Sequence, residues 1–287
     1  MAKINIFGIE IDYELVGDAG APAVALTPGG RFARDCPGLP ELAAKLAEGG
    51  KRVLLWDRPS CGASDISFAG DDGESVLHGR VLTQLIRELD LGPTALAAGS
   101  AGSRVSLIAA SRDPEIISHL MVWWISGGVV GLLTLSYYYC CDHAIAASHG
   151  GMEAVAKMPL WKEQLAKNPR NRDILLAQDP EKFIKTMEKW AMFYVPGEDS
   201  PVPGMSPADF ARLTMPVKIY RNGLSDLSHP RETSDWVHRL IPHSVMVDAP
   251  WPDDEWNRRC MYAMEHGSGH FAGWPVLAPD ILDFTAS

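Results

Sequence analysis

The run Pro93-Thr94-Ala95-Leu96-Ala97-Ala98-Gly99-Ser100-Ala101-Gly102-Ser103-Arg104-Val105-Ser106-Leu107 sets one hydroxyl between two kinds of structure. Its left half is small and apolar and reads as a buried strand. Its right half, Ala101 to about Arg112, reads as a helix. Ser100 sits at the joint. A strand that turns this sharply into a helix holds the turn residue under strain and pushes its side chain beyond the sheet. The two backbones nearly touch there, so the neighbours must be small, as Ala98 and Gly102 are. The helix starting at Ala101 points its first N–H groups back at the hydroxyl, ready for a developing negative charge. A serine hydroxyl is a poor nucleophile at neutral pH. It needs a base within hydrogen-bond reach, and the base needs an orienting acid.

Ala98-Gly99-Ser100-Ala101-Gly102 resembles the nucleophile elbow of the α/β-hydrolase family, G-x-S-x-G, with alanine replacing the first glycine. The resemblance implies an α/β-hydrolase fold: a mostly parallel sheet flanked by helices, with an inserted helical cap. It also implies the chain order serine, acid, histidine. In Val217-Lys218-Ile219-Tyr220-Arg221-Asn222-Gly223-Leu224-Ser225-Asp226, Gly223 and Asp226 match the family's tail to an acid-bearing strand. Asp226 is therefore the implied acid; the plainer alternative is a turn aspartate capping a helix at Pro230. Gly267-Ser268-Gly269-His270-Phe271 resembles the family's G-H-F and implies His270 as the base, ahead of Pro275 and a closing helix through Ile281, Leu282 and Phe284. One departure is plain. Ala249 to Ser268 separates the last strand from His270, where the family has far fewer residues. An extra helix over Asp253 to Met264 fills that space, and His266 is the second candidate for the base. Glycines between His266 and His270 argue against a metal pair on one helix, so no metal is expected.

Two further pieces follow from the resemblance. An acyl-transfer site needs two backbone N–H donors aimed at the oxyanion. Ala101, the residue after the nucleophile, supplies one. Pro28-Gly29-Gly30 stands where the family has His-Gly-x, so Gly30 supplies the other, with Gly29 as the alternative. Asp57-Arg58-Pro59-Ser60-Cys61-Gly62-Ala63-Ser64-Asp65 resembles the family's D-x-P-G-x-G-x-S and is read as structural. Cys61 has no histidine near it in sequence and is not read as a nucleophile.

The elements that must position these residues alternate. Ile9, Ile11, Tyr13 and Leu15 interleave with Glu10, Asp12 and Glu14, which reads as a half-exposed antiparallel strand at a sheet edge. Ala23 to Leu26 is a buried strand running into a turn at Thr27 to Arg31. Pro40 to Glu48 is a helix stopped by Gly49-Gly50. Arg52 to Trp56 is a strand, and Leu77, Val81, Leu82, Leu85, Ile86 and Leu89 form a helical stripe. Ile116 to Ile125 is the next strand. Strands alternating with helices imply crossover units and a parallel sheet. From Leu132 to Met205 only helices and loops appear; one opens at Asp179-Pro180, an N-cap with proline at the first helical position, and runs to about Tyr194. Strands resume at Val217 to Tyr220 and Ser244 to Val247. The expected organisation is a core over 1–131, a helical cap over 132–208 and the rest of the core over 209–287.

With 287 residues, 46% hydrophobic and 22% charged, the chain can bury one large core with an insertion. Its net charge of −10 and the lack of Lys/Arg clusters argue against nucleic acid and anionic membranes as partners. Five cysteines, an odd number without CxxC spacing, read as reduced thiols of a cytoplasmic protein. The first residues lack the apolar region of a signal peptide. Leu120 to Cys141 is uncharged and long enough to span a bilayer, but Ser126-Gly127-Gly128 interrupts it, and it reads as strand, loop and helix. The expectation is a serine hydrolase needing no cofactor, acting on an ester or lactone of a small apolar acid, with a homodimer possible. Trp124, Tyr138, Trp161 and Trp190 are the aromatics expected to line its pocket. Two alternatives stand: hydrolysis of a carbon–carbon bond in a ring-fission vinylogous diketone, with Arg170 or Arg172 holding the substrate carboxylate, and a non-hydrolytic ligand-binding member of the fold.

Overall fold

The computed structural model describes every residue except Met1, Asp71, Ser225 and Ser287. The chain begins with β1 (Ala2–Ile6), β2 (Ile9–Val16) and β3 (Ala23–Thr27), followed by α1 (Leu39–Glu48), β4 (Arg52–Trp56), α2 (Glu74–Glu88), β5 (Thr94–Gly99), α3 (Ala101–Arg112) and β6 (Ile117–Trp123). A helical segment follows: α4 (Val129–Ser136), a π-helical turn at Tyr137–Cys141, α5 (Asp142–Ala156), α6 (Lys162–Lys167), α7 (Arg170–Leu176) and α8 (Pro180–Met192). The chain closes with α9 (Pro207–Ala211), β7 (Val217–Arg221), α10 (Arg231–Leu240), β8 (Val245–Asp248), α11 (Glu255–His266) and α12 (Ala278–Phe284).

One eight-stranded sheet runs in the order β1-β2-β4-β3-β5-β6-β7-β8. β2 pairs antiparallel with β1 and β4, and every later pairing is parallel. The central strands β3, β4 and β5 are apolar apart from Arg52 and two threonines and nearly fully buried, as strands covered on both faces must be. One apolar cluster lies under α2 and α3, and another under α1 and α12.

β2 is antiparallel as its alternation implied, but β1 covers it and takes the edge. Its polar face is also not all solvated. Asp12 is buried, because the Arg34 guanidinium reaches across to it at 2.7 Å and to Glu14 at 2.6 Å. The uncharged run from Leu120 divides into β6, a loop and α4, and among the described residues no helix is long and apolar enough to cross a membrane.

The helical segment between β6 and β7 has its own apolar cluster, built on Trp161, Phe183, Met187, Trp190 and Tyr194. Asp179 caps α8 by accepting from Lys182 N–H at 2.9 Å. Beyond Tyr194 the packing changes allegiance: Val202, Met205 and Phe210 belong to the main core.

Candidate active site

Ser100 lies at the carboxyl end of β5, the place where parallel α/β sheets gather ligands. Its backbone sits at φ 58°, ψ −125°, a positive φ that residues with a side chain rarely adopt. Packing holds it there. A Cβ on Gly102 would stand 2.1 Å from the Thr27 carbonyl oxygen, and one on Gly29 would stand 2.7 Å from Ser100 Cβ. The Ser100 N–H donates to the Trp123 carbonyl at 3.1 Å, tying the bend to β6.

The hydroxyl meets an imidazole, and that imidazole is His229. Ser100 Oγ lies 2.8 Å from His229 Nε2, and His229 Nδ1 lies 2.7 Å from Asp226 Oδ2. A carboxylate only accepts hydrogen bonds, so Nδ1 carries the proton and Nε2 is left to accept from the serine. The Asp226 carboxylate also accepts the N–H groups of Ser228 at 2.9 Å and His229 at 3.0 Å through its other oxygen. One turn thus holds acid and imidazole together. Buried Asn222 anchors the turn: its amide donates to the carbonyls of Ile125 and Pro230, both at 3.0 Å, and accepts from Ile125 N–H at 3.1 Å. Trp124 stacks on the His229 ring at 6.3 Å and Trp256 meets it edge-on at 4.8 Å.

Sequence reading puts His270 against Ser100; the structure puts His229 there and sends His270 to another wall of the same cavity. The stretch from Ala249 to Ser268 is the reason. It folds as an approach loop and α11, and delivers His270 against Phe32, ring centroids 4.6 Å apart. Burial lowers the His270 pKa below its ordinary value. His266, the second candidate, is exposed at the end of α11, stacked on Tyr262 with its ring at the Tyr262 carbonyl. Asp226 does not cap the helix at Pro230, which has no side-chain cap; its Oδ1 closes the turn to His229 instead, so the acid role stands and the plainer reading does not. No periodicity marks His229; the signal available was its place three residues after Asp226 and just ahead of Pro230.

A cavity of about 580 Å³ opens over Ser100. Gly30 and Ala101 lie on its floor, Phe32, Leu135, Met158 and Leu160 supply apolar wall, and Tyr138 lines it as expected for a pocket aromatic. Three other aromatics do not. Trp161 is fully buried beneath the Arg31 guanidinium, 4.8 Å away; Trp190 is buried with its Nε1–H on the Gly70 carbonyl at 2.6 Å; Trp124 backs the imidazole. The large rings of the insert hold the insert together, because burying them is its main source of cohesion. Arg170 and Arg172 are exposed and pair with Asp65 and Glu153, away from the cavity.

The segment after β4 supports this floor. Asp57 accepts the N–H groups of Arg34 and Ala63, both at 2.7 Å, and Gly62 must be glycine because a Cβ would meet Asp57 Oδ2 at 2.1 Å. Burial pushes the Asp57 carboxyl up to about 6 against those two hydrogen bonds. Buried Arg58 donates to the carbonyls of Gly29 at 3.0 Å and Gly30 at 2.5 Å. In a trans peptide the N–H points away from the preceding C=O. Holding the Gly29 carbonyl on the Arg58 side therefore turns the Gly30 N–H to the opposite side. Burial pushes the Cys61 thiol up to about 11, which leaves it unreactive.

No family model matches the chain. It is 26% identical over 249 residues to the human serine hydrolase BPHL, covering 85% of this chain and 76% of that one. Among solved structures it is similar to the enol-lactonase of Burkholderia xenovorans (TM-score 0.62, 16% identity, all of both chains). It is also similar to an alpha/beta hydrolase of Sphaerobacter thermophilus (TM-score 0.60, 18% identity, 99% of this chain and 100% of that one).

Proposed function

We propose that this chain, a member of the α/β-hydrolase fold family, is a serine hydrolase that acts through an acyl-enzyme on an ester or lactone of a small apolar acid. The observation that carries the reading is the unbroken line Asp226–His229–Ser100, with contacts of 2.7 and 2.8 Å. His229 takes the Ser100 proton as the oxygen attacks the carbonyl, then returns it to the leaving group. Asp226 keeps the imidazole in the tautomer that accepts from serine. The N–H groups of Gly30 and Ala101 hold the oxyanion; α3 starts at Ala101, so its first N–H has no partner within the helix. Water then releases the acid by the same route reversed. The helical segment from α4 to α8 serves as the cap and gives the acyl group its apolar wall.

The carbon–carbon reading calls for a cavity cation free to hold a carboxylate. Among the described residues the arginine lining the cavity is Arg31, whose Nη1 is held by Glu74 at 2.6 Å and whose remaining unpartnered nitrogen, Nε, is buried out of reach of solvent. A panel of p-nitrophenyl esters and aliphatic lactones, run beside a ring-fission dienoate, tests the assignment. Turnover of the apolar esters or lactones, with acyl-Ser100 trapped by mass spectrometry, is the expected result. Turnover confined to the dienoate would replace the ester reading. Ligand binding with no covalent Ser100 adduct would make the chain a binding protein.

A further inference from the structure

Next to the reaction cavity, and sharing Gly30, Arg31, Ala101 and Tyr139 with its lining, lies a second and much smaller space of about 10 Å³. Its walls include Arg31, Arg58, Arg104, Glu74, His78 and Cys61. The three arginines are 6%, 2% and 2% exposed. Arginine is almost never buried so deeply without a carboxylate. Here three guanidinium groups share one. Glu74 pairs with Arg31, while Arg58 spends its donors on backbone carbonyls and Arg104 on Ser75 Oγ at 2.8 Å and the Tyr194 hydroxyl at 3.5 Å. Asp57, next in the chain, is turned to Arg34 and Ala63 and does not line the space.

Three buried guanidinium nitrogens on residues around this space have no hydrogen-bond partner among the described residues: Arg31 Nε, Arg58 Nε and Arg104 Nη1. His78 Nε2 is unpartnered too, but in a neutral ring whose other nitrogen donates to the Pro59 carbonyl it is a lone pair and makes no call for an anion. Burial, reinforced by the charges of Arg58 and Arg31, keeps His78 uncharged, and burial keeps the Cys61 thiol protonated. The local balance is three positive charges against one negative. We propose that this space is a binding site for one monatomic anion, chloride in ordinary solution, held by Arg31, Arg58 and Arg104. The space is on the scale of one water-sized particle, which points to a monatomic ion rather than a polyatomic one. Guanidinium groups are weakly hydrated and carry forked donors, which suits a desolvated halide. Water would satisfy hydrogen bonds and leave the excess charge in place; a halide answers both. The site stands independently of the hydrolytic reading, since its claim concerns binding and not turnover.

Thermal unfolding of the full chain in sodium chloride or sodium bromide against sodium gluconate, at constant ionic strength, reads the site directly. The expected result is a Tm that rises by a few degrees with halide and saturates, as a ligand bound only to the folded state requires. Crystals soaked in bromide should show an anomalous peak between the three guanidinium groups. In Arg104→Gln the halide dependence should weaken at least tenfold; should that variant fail to fold, the wild-type melts and the bromide peak still decide. Superimposable melts in halide and gluconate, or no bromide peak in that space, would assign it to water and overturn the proposal. A bromide peak with no halide-dependent Tm would mark an adventitious ion only, and would overturn it equally.

Discussion

The two halves of the site are held by different means. Ser100 is placed by backbone against backbone: β5 pairs with β3 and β6, α3 begins at once, and Gly102 leaves no room for a Cβ beside the Thr27 carbonyl. Asp226 and His229 are placed by hydrogen bonds within one turn, anchored by the Asn222 side chain. The first half is a feature of the fold and fails only when the fold does. The second is a small polar network that can be broken while the sheet stands. Damage to the two halves should therefore look different.

The sharpest contrast is at Asp226. Asp226→Asn keeps the size of the side chain but can offer an N–H where the imidazole needs an acceptor, which favours the wrong tautomer. We expect kcat on the best ester to fall by about 10⁴-fold with KM little changed. The Tm should move far less than the activity. Gly102→Val attacks the other half. The added carbons run into backbone that cannot yield, so stability should drop by about 3 kcal/mol in denaturant unfolding, and activity should fall in step with folded protein. If Gly102→Val were fully folded yet inactive, or Asp226→Asn unfolded, the contrast would fail.

That division also separates what the sequence disclosed from what it hid. The elbow is written in residue sizes along one continuous stretch, so Ala98, Ser100 and Gly102 suggest it, and the order of the other motifs around it makes the suggestion specific. The alternation of strands and helices disclosed the sheet in the same way, and the apolar rhythm of Phe183, Met187 and Trp190 marked a buried helical face. His229 left no such mark. A hydrogen-bonded turn four residues long has no period, and G-H-F near the far end offered a more familiar histidine. The burial of Asp12, Arg31 and Arg58 was equally hidden, because partners such as Arg34 and Glu74 lie far away in sequence. The pocket aromatics were over-read for the opposite reason: large rings are conspicuous in sequence, and Trp161 and Trp190 are spent on the insert's own core.

Arg58 lies between the two modes, a side chain that sets a backbone. Arg58→Met should leave the Gly29 and Gly30 carbonyls unheld and misdirect the Gly30 N–H. The expected loss is about 100-fold in kcat with a smaller change in KM, and a matching loss of affinity for a boronic-acid transition-state analogue. Equal weakening of substrate and analogue would reduce Arg58 to a structural role.

A last effect concerns pH and falls on stability, not on the chemical step. His143 is fully buried in the insert beside Trp161, and burial, then the charge of Arg31, lowers its pKa to about 3. The unfolded chain takes up this proton near pH 6.5, and the folded chain refuses it until far lower. Stability should therefore fall as pH drops from 6.5 toward 3, by about 1.4 kcal/mol per pH unit from this group. His143→Met should make that slope shallower in Tm measured from pH 7 to pH 4, with buried His78 supplying part of what is left.

The most direct test of the account compares the two histidines that face the cavity. The rate at which a fluorophosphonate labels Ser100 reports how strongly its hydroxyl is activated, free of any question of substrate. In folded His229→Gln labelling should slow by at least about 1000-fold, and in folded His270→Gln it should stay within about threefold of the parent. The reverse pattern, with labelling lost in His270→Gln and kept in His229→Gln, would contradict the account at its centre.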